Sequence, residues 1–342
     1  MKEWKACLQS LKTLLAERKD LKKALRTSIE QAGVDEVQNL KDYYKFLEGL
    51  LIQVPVHRTM GLLTDKFHYL IAHSPNNLLK TDPAFRRWLV SFSHSHGSYL
   101  DTTDSAKSLR TFTEDPAYKI EQYNPPPGGW LTFNQFFTRH IKPGMRPVAA
   151  LHNQDIVVAA TDSVYKGWWP IDADSFVMAK GNKYAIADLL EGSPYQHSFS
   201  NGVFTHSYLD TTDYHRFHVP LAGTLREARK IPGDVIVNTS KEANGEYLTE
   251  VEVGFQFTQT RALVVLETAL GLVALLPIGM GHVSSVTITA ANNATLHKGE
   301  EFGYFAYGGS DFVMLFQENK VIFTATPEKH YQQGEEIARA IR

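Results

Sequence analysis

The chain has 342 residues, 43% hydrophobic and 11% aromatic, enough apolar side chains to bury one large core or two. A formal charge of −2 excludes a global polyanion-binding surface, so no nucleic-acid partner is expected. A lone cysteine, Cys7, excludes an intrachain disulfide framework and fits a reducing compartment.

The chain opens MKEWKACLQSLKTLLAERKD, too charged for a signal peptide, and no run of about 18 apolar residues follows to span a bilayer. A cytoplasmic protein, soluble or in peripheral membrane contact at most, is expected. The first 30 residues carry eight Lys/Arg against four acids around the stripe Trp4, Leu8, Leu11 and Leu15. Such a helix either lies on an anionic membrane surface or packs on the body with a solvated basic face.

In DEVQNLKDYYKFLEGLL, Val37, Leu40, Tyr44, Leu47 and Leu51 recur at helical spacing, and TDPAFRRWLVSF opens with Asp82 as a cap and Pro83 in the first turn. Residues 1 to about 115 read as helices. YNPPPGGW (123–130) cannot continue a helix, because its prolines remove donors and its glycines loosen the chain. We expect a helical domain at 1–123, a linker at 124–130 and a second domain at 131–342. Beyond the linker come short β-rich runs: VFTHSYL (203–209), VEVGFQF (251–257), ALVVLET (262–268), GLVALLPI (271–278), VSSVTITA (283–290), FVMLF (312–316) and VIFT (321–324). The expected class is α+β, a helical region followed by a largely antiparallel β domain.

Four stretches carry residues capable of chemistry. DYHRFHVP holds His215 and His218 before Pro220, an extended or turning segment with no Cys/His/carboxylate set at ligand spacing to complete a metal site. SFSHSHGS places His94 and His96 in the helical part, where surface decoration is expected. AATDSVYKGW puts Asp162 after an apolar strand, a common place for a turn former. FAYGGSDFVMLF (305–316) sets Gly308, Gly309 and Ser310 on the threshold of a core strand.

A serine, a histidine and an aspartate in a β domain invite a hydrolase reading, yet no G-x-S-x-G elbow occurs in the chain. A serine directly after two glycines has another option. Without a Cβ at 308 or 309, the backbone can bend so that the Ser310 hydroxyl approaches the carbonyl carbon of Gly309.

LTFNQFFTRHIKPGMRPV (131–148), TDS (161–163), MAKGNKYAIADLLEG (178–192), YLDTTDYHRFHVPLAGTL (208–225), IPGDV (231–235) and HKGEEFGYFAYGGSDFVMLF (297–316) together resemble the phosphatidylserine decarboxylase family. The resemblance implies a self-processing proenzyme in which Ser310 attacks the Gly309 carbonyl, with His218 as base and Asp162 supporting it. The chain would be cut at 309/310 and residue 310 would become a pyruvoyl group, so that neither PLP nor a metal is needed. That ketone would form an imine with an amino acid and take up the electrons released with carbon dioxide, and His215 would return the proton as general acid.

Two departures from the family pattern stand out: Ser163 follows Asp162 where the family commonly has glycine, and Asp311 follows the processed serine where threonine is common. A carboxylate there would slow processing or favour a cationic substrate group. VPVHRTMGLL through SHGSYLDTTDSAKSL (54–109) is similar to the helical extension of soluble relatives that decarboxylate tryptophan and other aromatic amino acids. The expected substrate is therefore a free aromatic amino acid, with phosphatidylserine as the alternative and a homodimer left open. A third reading, a biotinyl- or lipoyl-like binding module, is raised by PLAGTL, PGD and KGEEFG, but no lysine sits at a hairpin tip in a Met-Lys context.

Overall fold

The computed structural model describes residues 3–249, 253–281, 285–307 and 309–341. Up to Leu100 the chain is helical: α1 (Glu3–Glu17), α2 (Lys19–Ala32), α3 (Leu40–Leu51), α4 (Met60–Ala72), α5 (Leu78–Thr81) and α6 (Pro83–Leu100). Local chemistry sets the ends. Asp82 accepts the Ala84 and Phe85 amides at 2.9 Å each, with Pro83 in the first turn of α6, and Asn39 caps α3 by accepting from Lys41 and Asp42.

The basic N-terminal helix packs on the body. Leu8, Leu11 and Leu15 are buried with Leu25, Ile29, Leu47, Phe67 and Phe92, and Trp4 packs against the same cluster. The apolar stripe is consumed by this core, and Lys/Arg remain on the outer face. Within α3 the buried tyrosine is Tyr43, while Tyr44 is only half-buried.

The second half is built on an eight-stranded sheet. Its strands are β1 (Ser163–Pro170), β2 (Val203–Leu209), β3 (Gly223–Ile231), β4 (Arg261–Thr268), β5 (Gly271–Met280), β6 (Thr295–Leu296), β7 (Gly309–Phe316) and β8 (Lys329–Tyr331). Their order in space is β6-β3-β4-β5-β7-β2-β1-β8, every neighbouring pair antiparallel. Period-two alternation assigns Phe312, Met314 and Phe316 to one apolar layer and Val313 and Leu315 to the other. A smaller sheet, Val286–Ile288, Glu301–Phe305 and Arg216–His218, covers the first layer. The expected α+β class, helices followed by a largely antiparallel sheet, is the observed one.

One strand expectation fails. VEVGFQF (251–257) is a single 3-10 turn at Phe255–Phe257, and its residues 251 and 252 lie outside the described residues. Gly254 has φ +137°, a value that breaks a ladder and that residues with a side chain rarely adopt.

The segment around the proline run carries apolar residues on both sides into one cluster: Leu100, Phe112 and Tyr118 pack with Phe133, Phe136, Phe137 and Tyr307. Phe133–Phe137 is a short helix capped by Thr132, which accepts from the Gln135 amide at 3.1 Å. Because Leu11 is fully buried in the helical core, Leu11→Ala is expected to destabilise the protein by about 2–5 kcal/mol, read as a lower urea midpoint with an unchanged m-value.

Candidate active site

Ser310 sits at the start of β7, fully buried, with Gly279 of β5 and Leu209 of β2 as its register partners, while Gly309 lies opposite Met280. It shares a sheet face with Phe312, whose ring meets Phe217 at 6.1 Å and Phe302 at 6.5 Å. The Gly309–Ser310 bond thus lies at the end of a strand paired on both edges; Gly308 is outside the described residues.

Asp311 faces the other layer. Its Oδ2 accepts from Gln256 Nε2 at 2.7 Å and lies 2.9 Å from His206 Nε2, and its Oδ1 accepts the Phe312 amide at 2.8 Å. All three side chains are buried. The carboxylate is therefore spent on internal partners on the face away from the Ser310 side chain, and it is not an open attractor for a cationic group as the sequence led us to expect. Sequence reasoning missed His206 because VFTHSYL was taken only as a strand, although period two puts residue 206 on the same face as residue 311 once the register is known. Gln256 was hidden by the strand reading of 251–257.

His215 is buried, with its ring centroid 3.9 Å from that of Phe137. Its Nδ1 lies 2.9 Å from the Asp213 carbonyl oxygen. A carbonyl only accepts, so Nδ1 carries the proton and Nε2 is a lone pair. That Nε2 is buried with no hydrogen-bond partner among the described residues. Arg139 donates to the same Asp213 carbonyl at 2.9 Å and to the Thr212 carbonyl at 2.8 Å, its guanidinium lying over the rings of Tyr118, Tyr123 and Phe136. Burial, and then the Arg139 charge, pull the His215 pKa down to about 3. The imidazole is neutral at every ordinary pH.

His218 has the same tautomer but no bare nitrogen. Its Nδ1 donates to the Gly299 carbonyl at 2.8 Å, and its Nε2 accepts from the Tyr214 hydroxyl at 3.0 Å. Gly299 has φ +82°, and a Cβ there would stand 2.6 Å from Val148 Cγ2, so glycine is required to present that carbonyl. Burial depresses the His218 pKa, opposed by the Gly299 hydrogen bond and by the charges of Glu301 and Asp162.

Asp162 stands close enough to act on His218 by charge but is not hydrogen-bonded to it. Its carboxylate takes Arg146 Nε at 2.8 and 3.0 Å and Nη2 at 2.5 Å, and its Oδ1 also accepts the Gln333 amide at 2.8 Å. The pair is buried at both ends. Ser163 is buried too, its Oγ accepting from Thr161 Oγ1 at 3.1 Å. Of the helical histidines, His94 is exposed as expected, but His96 is buried against Tyr307 with ring centroids 6.1 Å apart. Helical periodicity puts residue 96 on the buried face of α6 with Phe92 and Leu100.

A buried serine behind a glycine at a strand start and, in the same half of the chain, two imidazoles of opposite availability make up the candidate site. The phosphatidylserine decarboxylase family model matches residues 133–339. The chain belongs to that family, whose members are pyruvoyl-dependent carboxy-lyases. It is 32% identical over 248 residues to phosphatidylserine decarboxylase proenzyme 2 of Oryza sativa subsp. japonica, covering 71% of this chain and 39% of that one. It is 26% identical over 281 residues to the phosphatidylserine decarboxylase proenzyme of Fusobacterium nucleatum, covering 81% and 89%. With the proenzyme of Alcanivorax borkumensis it shares 36% identity over 212 residues, 56% of this chain and 70% of that relative. The chain thus spans nearly all of the bacterial Fusobacterium relative but well under half of the rice one.

Two outcomes follow from this geometry. In a Ser310→Ala background, Asp162→Asn leaves Arg146 buried without its counter-charge and is expected to cost about 3–5 kcal/mol, read from the urea midpoint. Arg139→Gln removes the positive neighbour of His215 and so raises its pKa. For His215 in the general-acid role that the resemblance implies, the alkaline limb of the pH–rate profile is expected to move up, and an unmoved limb would break the link between the two residues.

Proposed function

We propose that this protein is a self-processing phosphatidylserine decarboxylase, cut between Gly309 and Ser310. The observation that carries the reading is the position of that bond at the mouth of a strand paired on both edges. In processing, the Ser310 oxygen bonds to the Gly309 carbonyl carbon and the amide C–N bond breaks, leaving an ester. Loss of the residue 310 α-proton then expels the Gly309 carboxylate, and addition of water releases ammonia. His218 is the base assigned to the first step, with its lone pair held by Tyr214 until the hydroxyl approaches and with the Asp162 charge favouring the protonated ring that results.

The pyruvoyl ketone left at residue 310 supplies the electron sink for decarboxylation. The residues present fit such a group: the small chain from residue 310 onward stays in its ladder, and the bare Nε2 of His215 is an unfilled acceptor. His215 is assigned the return of the proton to the α-carbon, because burial beside Arg139 makes its protonated ring a strong donor.

The relatives in rice, Fusobacterium and Alcanivorax, each called a phosphatidylserine decarboxylase proenzyme, support the phospholipid as substrate. The expectation of a free aromatic amino acid rested on a loose likeness over 54–109 and has no comparable support. No helix among the described residues is long and apolar enough to cross a membrane.

Intact mass of the purified protein is expected to show two chains divided at 309/310, and Ser310→Ala one chain. His218→Ala should stay uncut; His215→Ala should cleave and then lose about 10²–10⁴-fold in decarboxylation. Carbon dioxide is expected from phosphatidylserine in mixed micelles. Release only from tryptophan, tyrosine or phenylalanine would replace the substrate, and a single active chain would end the pyruvoyl mechanism.

A further inference from the structure

A cavity of about 430 Å³ opens between α4 and the end of the sheet where β7 begins. Met280, opposite Gly309, and Tyr208, opposite Asp311, form its floor with Tyr307, while the segment His57 to His68 forms its roof. Tyr307 is a shared wall: its ring lies 5.5 Å from that of Phe137, which packs on His215. The cavity is therefore lined by the register partners of Gly309 and Asp311, next to the Gly309–Ser310 bond on the helical side, and its size is that of a small-ligand site.

Its formally charged groups are Arg58 and Asp65, of opposite sign. Arg58 makes no hydrogen bond or ion pair with the described residues and is exposed at the mouth. Asp65 donates no charge to any salt bridge among the described residues; its Oδ1 accepts from Thr249 Oγ1 at 2.8 Å, and burial raises its pKa. Of the two histidines in the lining, His57 is already engaged, with Nε2 3.4 Å from Asp115 and Nδ1 3.1 Å from the Tyr118 hydroxyl, and His68 is fully buried with its pKa pushed down to about 3 by that burial. One open cation and one half-buried carboxylate flanking an aromatic floor complement a ligand that carries an ammonium at its reacting end and an anion a few bonds further out.

We infer that this cavity is the headgroup pocket of the substrate and that Arg58 is the partner of its phosphodiester, with Asp65 facing the ammonium. The inference rests on the phosphatidylserine reading above and adds the source of its selectivity. Every residue of the roof lies outside the 133–339 span that the family model matches, so the helical region supplies the recognition and the β domain the chemistry. A guanidinium pairs two phosphodiester oxygens at once, and a free aromatic amino acid has no second anion beyond its reacting carboxylate to offer it.

The test uses glycerophosphoserine, which is soluble, and two forms of the protein. On uncut Ser310→Ala protein, titration with glycerophosphoserine is expected to show binding that Arg58→Gln weakens about 10-fold or more, the usual worth of a hydrogen bond to a charged group, while free serine binds both forms alike. On processed enzyme, Arg58→Gln should raise KM for phosphatidylserine by a similar factor with kcat within about twofold, and Arg58→Lys should recover part of the loss. Arg58 is exposed, so an unchanged unfolding midpoint is expected for both variants. If wild type turns over phosphatidylserine and Arg58→Gln keeps its KM, the pocket assignment is wrong and the functional reading stands. If wild type leaves phosphatidylserine untouched, both fall together.

Discussion

Both edges of β7 are occupied, and the rest of the site depends on that constraint. Eight register pairs join it to β5 and seven to β2, and its alternate side chains are buried in two different layers. A chain interrupted before Ser310 would still be held by this ladder and by apolar burial on both faces. A reactive group at residue 310 is thereby fixed on a rigid element, which is where a site needs its first groups to be held. An edge strand would have left the same bond on a fraying end.

Burial decides the proton chemistry around it. His215 and His218 lie three residues apart, each donating Nδ1–H to a backbone carbonyl, yet one Nε2 is bare and the other is covered by a phenol. The difference comes from packing: Phe137 and the cationic Arg139 enclose His215, whereas Tyr214 and the field of Asp162 reach His218. Asp162 can serve as that fixed negative charge only because Arg146 and the Gln333 amide hold it in a dry setting. Asp311 is held separately, on the far face, accepting from Gln256 and lying 2.9 Å from His206 Nε2.

The helical region is joined to this machinery by packing. Val235 of the β half sits in the helical core, and the aromatic cluster of Leu100, Phe112, Phe133 and Tyr307 is shared by both halves. The end of the sheet at which β7 starts is therefore roofed by α4 and the turn before it. Shape and charge at that roof come from a part of the chain with no catalytic groups of its own.

Much of this was readable from the chain alone. Helical periodicity and the Asp82-Pro83 pair determined α6, β-branched and aromatic runs determined the sheet strands from 262 to 278 and 312 to 316, and the GGS threshold with the His215/His218 pair nominated the candidate site, since these signals are local. The partners of those residues were not readable. That Asp162 bonds Arg146 and leaves His218 to Gly299 and Tyr214, that Asp311 turns away from Ser310 toward His206, and that His96 is inside depend on which faces meet after folding. A sequence states the period of an element but not the neighbour its face will find, and charge, tautomer and pocket are properties of neighbours.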